Sequence, residues 1–525
     1  MCPGSPSSQG WRYCDERWRN ESTRCCGDAV EGLCSNLEEG SSLISEICEE
    51  EGLRIMSRID RLAQRLFWLV ILGVVFQLRL GLAAEVVEHP GQGLKLAAFD
   101  VDATPPVGFR MAYGPVIRSA DLPLRCRGIV LLGAEAPIVL CAVDWIGIGN
   151  AAHDVFREEL ARAAGTSADR VAVHALHQHD APHADFTAEE IIKELGVEGV
   201  HRFDGAFPRQ VLAAAVAAIR QALPNARPVT HVGFGEHAVA EIASNRRLLG
   251  PDGKVRAWRG STTRDPALRA EPEGLIDPLV STLAFWSDAE PIAVLTSYAT
   301  HPMSYYRTGV PSPDFPGIAR FLRSQDVPTA MHVHFTGAAG NIAAGKYNDG
   351  SRANRVLFAT RMATAMRLAF TAAETARRAL TAADVGFESF PVVLKPRREL
   401  DRNALLAAVR QGGDRGTFDD IDALAWLDRA AEKQPIIVSC LRVGDVRMLH
   451  LPGELFIEYQ LAARQMRPDL NVMLAAYGNY GTGYIGTAHA YNEGGYETKV
   501  GSSFVGPEAE EELLAAMRNL LEVAP

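Results

Sequence analysis

The chain has 525 residues, 47% of them hydrophobic and 22% charged, with a formal net charge of −11. That length supports a large globular core, and the acidic balance excludes nucleic acid or an anionic membrane surface as the main partner. Six of the nine cysteines (Cys2, Cys14, Cys25, Cys26, Cys34 and Cys48) precede residue 50, so the remaining Cys126, Cys141 and Cys440 make no disulfide framework.

Residues 1–55 are polar and show neither a helical nor a strand period, which reads as a disordered leader or as sequence upstream of a true start at Met56. Residues 56–84 read as a signal peptide. Arg58, Arg61 and Arg65 form a basic region, Phe67–Phe76 a short apolar run, and Gly81-Leu-Ala83 places small residues at a cleavage site. The apolar run is too short for a comfortable membrane span. The expectation is a secreted or periplasmic protein with at most peripheral membrane contact, and residues 85–525 as one domain.

That region alternates strand and helix signals and predicts an α/β fold, a mixed β-sheet core flanked by helices. Residues 128–132 and 138–143 read as a hairpin. Residues 153–164 read as an amphipathic helix stopped at Gly165, and 208–223 as a helix opened and closed by prolines. Residues 244–274 read as a long loop. In the helix over 351–371, Val356, Ala359, Met362 and Ala363 fall on one apolar stripe, with Arg352, Arg355 and Arg361 largely away from it. A further helix is predicted over 455–466 and a last one near 507–521, and the sequence shows no internal repeat.

Candidate chemistry collects where predicted strands end. Val171-Ala-Val-His-Ala-Leu-His-Gln-His179 reads as a strand running into a turn at Asp180-Ala-Pro182, and four of the 14 histidines lie between His174 and His183. Alternation along a strand would aim His177 and His179 into one space. A second strand stops at His301-Pro302, a third runs into Gly337–Asn341, and a fourth leads into Pro452-Gly453-Glu454. A loop rich in glycine and tyrosine follows from Tyr477 to Tyr496. Imidazoles and a carboxylate with one open position are a standard zinc arrangement, but spacing alone does not separate His177 from His179.

These stretches resemble the neutral/alkaline, non-lysosomal ceramidase family. His177-Gln-His179-Asp-Ala-Pro182, Asn245-Arg246, Ala299-Thr-His301, Pro452-Gly-Glu454 and Tyr484-Ile-Gly-Thr487 through Tyr491 to Tyr496-Glu497 follow its motifs in order. The resemblance implies one Zn2+ held by His177, His301, Glu454 and Tyr484. It implies His179 as base or stabiliser of a tetrahedral intermediate, with Arg246 and Tyr496 as polar partners of the reacting carbonyl. It implies Gly340, Asn341 and Tyr491 as substrate-binding positions, and hydrolysis of a small-molecule or lipid N-acyl amide.

The family's GDVSPN segment aligns with Gly340-Asn-Ile-Ala-Ala-Gly345, so Ala343 takes the place of a serine and Asn341 that of an aspartate. The chain also ends soon after Tyr496, where the family continues into an immunoglobulin-like domain. Soluble or short-chain acyl amides are therefore expected to be cleaved at least as well as long-chain ceramide. The alternatives are a hydrolase of acylated or sulfated sugars, or a binding protein on the same fold.

Overall fold

A computed structural model describes residues 93–197, 202–411 and 416–523. The leader and the signal peptide expected over 1–84 lie outside these residues. Within them no helix is long and apolar enough to cross a membrane.

Three similar units succeed one another along the chain. The first comprises β1 (Lys95–Asp102), β2 (Arg125–Gly133), β3 (Glu135–Val143), α1 (Asn150–Ala164) and β4 (Val171–Ala175), followed by α2 (Phe186–Leu195) and α3 (Ala206–Ala222). The second comprises β5 (His231–Ala238), β6 (Leu279–Ser287), β7 (Glu290–Tyr298), α4 (Asp314–Asp326) and β8 (Met331–Thr336), followed by α5 (Ala353–Thr375). The third starts with β9 (Val385–Val392) and inserts a helical hairpin, α6 (Arg402–Gln411) and α7 (Gly416–Ala431). It continues with β10 (Ile436–Val443), β11 (Val446–His450), α8 (Ile457–Met466), β12 (Asn471–Ala475) and α9 (Ala509–Leu520).

In every unit the first three strands pair antiparallel and the fourth joins the third in parallel across a helix. A helix is the usual crossover for a parallel pair. The fold is α/β with mixed sheets and outer helices, as the strand and helix signals imply. The central layer is three sheets rather than one, and the repeat is one of topology that the sequence does not display.

Inward-facing residues of all three sheets share one cluster, including Leu140, Leu283, Phe335, Leu441 and Met473. Strands buried on both faces explain the unbroken apolar run Ile138–Val143. The fourth strands meet at their C-terminal ends. Ala175 N–H donates to Tyr477 O at 3.0 Å, Ala476 N–H to Thr336 O at 2.9 Å, and the Thr336 hydroxyl to Leu176 O at 2.9 Å. Loops leaving the three units therefore converge on one end of the molecule.

Helices close the outer faces. α5 approaches β5 so tightly that a Cβ on Gly233 would lie 1.9 Å from Ala373 O. The buried face of α5 carries Phe358, Ala359, Met362, Ala363, Met366 and Ala369. Val356, predicted to face inward, is 65% exposed. The stripe is offset from the predicted one because Arg355 turns in instead, bonding Ser304, Ser312 and Tyr305. The stretch predicted as a loop over 244–274 contains short paired strands, Ser244–Asn245 with Ile342–Ala343 and Arg247–Leu249 with Val255–Trp258.

Candidate metal centre and its cavity

β4 ends at Ala175, two residues before His177. His177 takes a left-handed backbone with φ 67°, and Tyr477, two residues past β12, takes φ 59°. Their rings stack at 4.5 Å. Such φ values cost energy in residues other than glycine, and strained positions of this kind gather at functional sites. The pairing of His177 and His179 thus comes from this turn and not from strand alternation. The ring centroids stand 4.8 Å apart.

His301 follows β7 and closes the group. One nitrogen from each of His177, His179 and His301 lies within 4.8 Å of the other two. Backbone carbonyls orient two of the rings, since His177 Nδ1 lies 2.8 Å from Ile146 O and His301 Nδ1 lies 2.6 Å from Ala339 O. A carbonyl only accepts, so both Nδ1 atoms carry a proton and both Nε2 atoms are turned toward Glu454. Glu454 Oε2 is 3.0 Å from His301 Nε2 and 3.3 Å from His177 Nε2.

Glu454 arrives beside Tyr484 because Glu454-Leu455 pairs in parallel with Tyr484-Ile485. Burial pushes the Glu454 carboxyl up, but the imidazoles of His177 and His301 outweigh it and hold it well below the usual carboxylate range. Burial lowers His301 to about 4. The site therefore sets a buried carboxylate against two imidazole nitrogens whose far nitrogens are tied to backbone carbonyls, an arrangement that a cation resolves. His179, also held well below its usual range by burial, has no hydrogen-bond partner at either ring nitrogen among the described residues. Imidazole nitrogens with the far nitrogen tied to a carbonyl, plus one carboxylate, form a donor set that suits zinc.

A cavity of about 620 Å³ opens above this cluster and is lined by His177, His179, Glu454, Tyr480, Tyr484 and Tyr496. Arg246 is buried, donates to Tyr484 Oη at 3.1 Å, and is braced by Glu497 at 3.2 Å. Tyr496 is 44% exposed and meets the Tyr484 ring edge-on at 5.8 Å. Burial raises the Tyr484 phenol well above its usual range, with Arg246 opposing.

Three expected substrate positions lie elsewhere. The Tyr491 hydroxyl bonds Ser503 Oγ and Val505 O. Asn341 accepts from Ile457 N–H at 2.8 Å and donates to Glu458 at 2.9 Å. Gly340 brings its backbone against that of Glu454, and its carbonyl accepts from Arg246. None of the three lines the cavity. Their polar groups are spent on holding the strands that carry Glu454 and Tyr484. Ala343 is fully buried, and its carbonyl accepts from Ser244 Oγ at 2.8 Å.

Sequence reasoning passed over Tyr480, whose hydroxyl donates to Glu454 Oε1 at 2.9 Å. It also passed over Tyr113, stacked on His179 at 5.3 Å with planes 3° apart. Its place in the loop rich in glycine and tyrosine was a usable signal for Tyr480. No local pattern marks Tyr113.

No protein-family model matches the sequence, and no curated protein sequence matches it. Solved structures match its shape. Neutral ceramidase from Pseudomonas aeruginosa superposes over 82% of this chain and 74% of its own, with a TM-score of 0.58 and 16% identity. In fold, the chain is similar to neutral ceramidase. A ceramidase solved in complex with C2 gives the same TM-score and identity, covering 82% of this chain and 75% of its own. The order of short motifs that resembles the ceramidase family therefore has a counterpart in three-dimensional shape.

Proposed function

We propose that the protein is a zinc-dependent hydrolase of N-acyl amides, exported by the N-terminal signal sequence. One observation carries this reading. Three inward imidazoles and an ionised, buried carboxylate face one another beneath an open cavity, in a fold shared with ceramidases.

His177, His301 and Glu454 would hold the ion, with Tyr484 beside them as the fourth ligand. Bound zinc would supply Lewis-acid polarisation of the carbonyl and of water. The chain's own groups then account for the rest. His179 is neutral and unpartnered at both nitrogens, so it can accept a proton and return it to the leaving amine. Arg246 lies behind the cavity wall, bonded to the Tyr484 hydroxyl, and from there its fixed positive charge would favour developing negative charge on the carbonyl oxygen. Tyr496, exposed at the cavity wall, is placed to bond the substrate.

Ala343 carries no oxygen to acylate, which supports direct attack by water without an acyl-enzyme. The test is a panel of matched amides and esters on purified, zinc-loaded protein. Amide cleavage lost on chelation and restored by zinc is the expected result. Cleavage of esters or sulfated sugars alone would favour a different hydrolase, and no turnover with zinc bound would favour a binding protein.

A further inference from the structure

Two rings of the imidazole cluster are held by hydrogen bonds, because His177 and His301 each give Nδ1–H to a backbone carbonyl. His179 has no such tether. It is buried, and neither ring nitrogen has a hydrogen-bond partner among the described residues. The last torsion of a histidine side chain has broad minima, so an imidazole without a polar tether turns unless its faces are packed. Orientation decides whether a nitrogen or a carbon meets the reacting atoms, and only a nitrogen can carry the proton.

Aromatic rings hold His179 instead. Tyr113 lies parallel to the imidazole, with centroids 5.3 Å apart and planes 3° apart, which is an offset stack. Tyr306 meets it at 62° and 5.0 Å, and His177 at 82° and 4.8 Å. One parallel and two steep neighbours thus set the plane of a ring that no hydrogen bond sets.

Backbone bonds tie Tyr113 to the turn that carries His179. Ala112 N–H donates to Ala181 O at 3.0 Å, and Ile117 N–H to Gly309 O at 2.8 Å. The Asp180 carboxyl, next to His179 in the chain, accepts from Arg307 N–H at 2.9 Å and from the Thr308 hydroxyl at 2.7 Å. Arg307 then lays its guanidinium over both tyrosines, 5.2 Å from the Tyr113 centroid and 5.4 Å from that of Tyr306. Segments remote in sequence are therefore fastened together around the face of His179.

We infer that Tyr113 is a positioning residue: its ring sets the plane of His179 and so aims the imidazole at the reacting amide. The aromatic face carries the effect, and the hydroxyl does not. The inference rests on the amide-hydrolase reading, in which His179 moves the proton, and adds the residue that orients it.

The test measures kcat, KM and zinc content for wild type, Tyr113→Phe and Tyr113→Leu on an amide that the wild type cleaves. Tyr113 is 41% exposed, so either substitution leaves the core packing intact. Tyr113→Phe keeps the ring and should retain wild-type kcat. Tyr113→Leu removes it and should lose at least about tenfold, as a misplaced group does, with most of the loss in kcat and the zinc retained. Wild-type kcat in Tyr113→Leu, a loss carried mainly by KM, a loss of zinc, or an equal loss in Tyr113→Phe would overturn the assignment.

If the wild type cleaves no amide, the hydrolase reading fails, and crystal structures still decide the positioning role. The His179 ring should keep one orientation in wild type and in Tyr113→Phe, and should turn or split between two orientations in Tyr113→Leu. A single wild-type orientation in Tyr113→Leu would overturn it.

Discussion

Adding one methyl group at residue 340 should damage the metal centre while leaving every ligand side chain in place. A Cβ on Gly340 would lie 2.3 Å from Glu454 O and 2.9 Å from Leu455 O, both backbone atoms, where real Cβ contacts essentially never fall below 3.0 Å. The strand carrying Glu454 must therefore move by roughly 0.7 Å, the difference between 3.0 and 2.3 Å. Gly340 N–H also donates to Leu455 O at 2.6 Å, and that bond would be pushed apart as well. Overpacking of this kind costs about 1–3 kcal/mol. A displaced supporting group lowers metal affinity about 10- to 100-fold. Gly340→Ala is therefore expected to melt earlier than wild type in a thermal scan. It should also lose zinc to a competing chromophoric chelator at about 10- to 100-fold lower chelator concentration. Wild-type zinc affinity in a correctly folded Gly340→Ala protein would refute the reasoning.

Other consequences follow from individual contacts. Tyr480→Phe removes the hydroxyl that donates to Glu454 Oε1, and chelator competition should show roughly tenfold weaker zinc binding. Arg320→Ala strands the fully buried Asp144 without the guanidinium bonding it at 2.7 and 2.5 Å, and denaturant unfolding should show about 3–5 kcal/mol lost. Burial raises Asp422 from 3.8 to about 8, so its contribution to stability is complete below pH 3.8 and is lost as pH rises through about 8. Asp422→Asn cannot ionise, and its melting temperature relative to wild type should rise between pH 5 and pH 9; a constant difference would contradict the shift. Rapid-quench kinetics on a turned-over amide should show no burst of amine, whereas a burst equal to the enzyme concentration would point to an acyl-enzyme.

The sequence displays chemistry at strand ends more readily than the means by which it is brought together. His177, His301 and Glu454 stood out because each follows an apolar strand, and the structure places all three in one cluster. The left-handed turn at His177 was not legible, since neither residue type nor spacing marks φ in a residue that is not glycine. Helices with clean caps, such as α1 ending at Gly165, were located within a few residues. The threefold topology stayed hidden because units that share strand order need not share side chains. The hairpin of α6 and α7, which carries Asp422, likewise has no local signal for the cavity it borders. Tyr480 reaches a partner from a different segment, Glu454, and only the folded chain shows that pairing.

Zinc titration of metal-free wild type and His301→Ala, followed by elemental analysis, tests the central claim most directly. Wild type should saturate at about one zinc per chain, because the imidazoles and the carboxylate surround a single position. His301→Ala should retain no zinc after dialysis, while its circular dichroism matches that of metal-free wild type. Full zinc occupancy in His301→Ala, or a wild type that takes up no metal, would contradict the account.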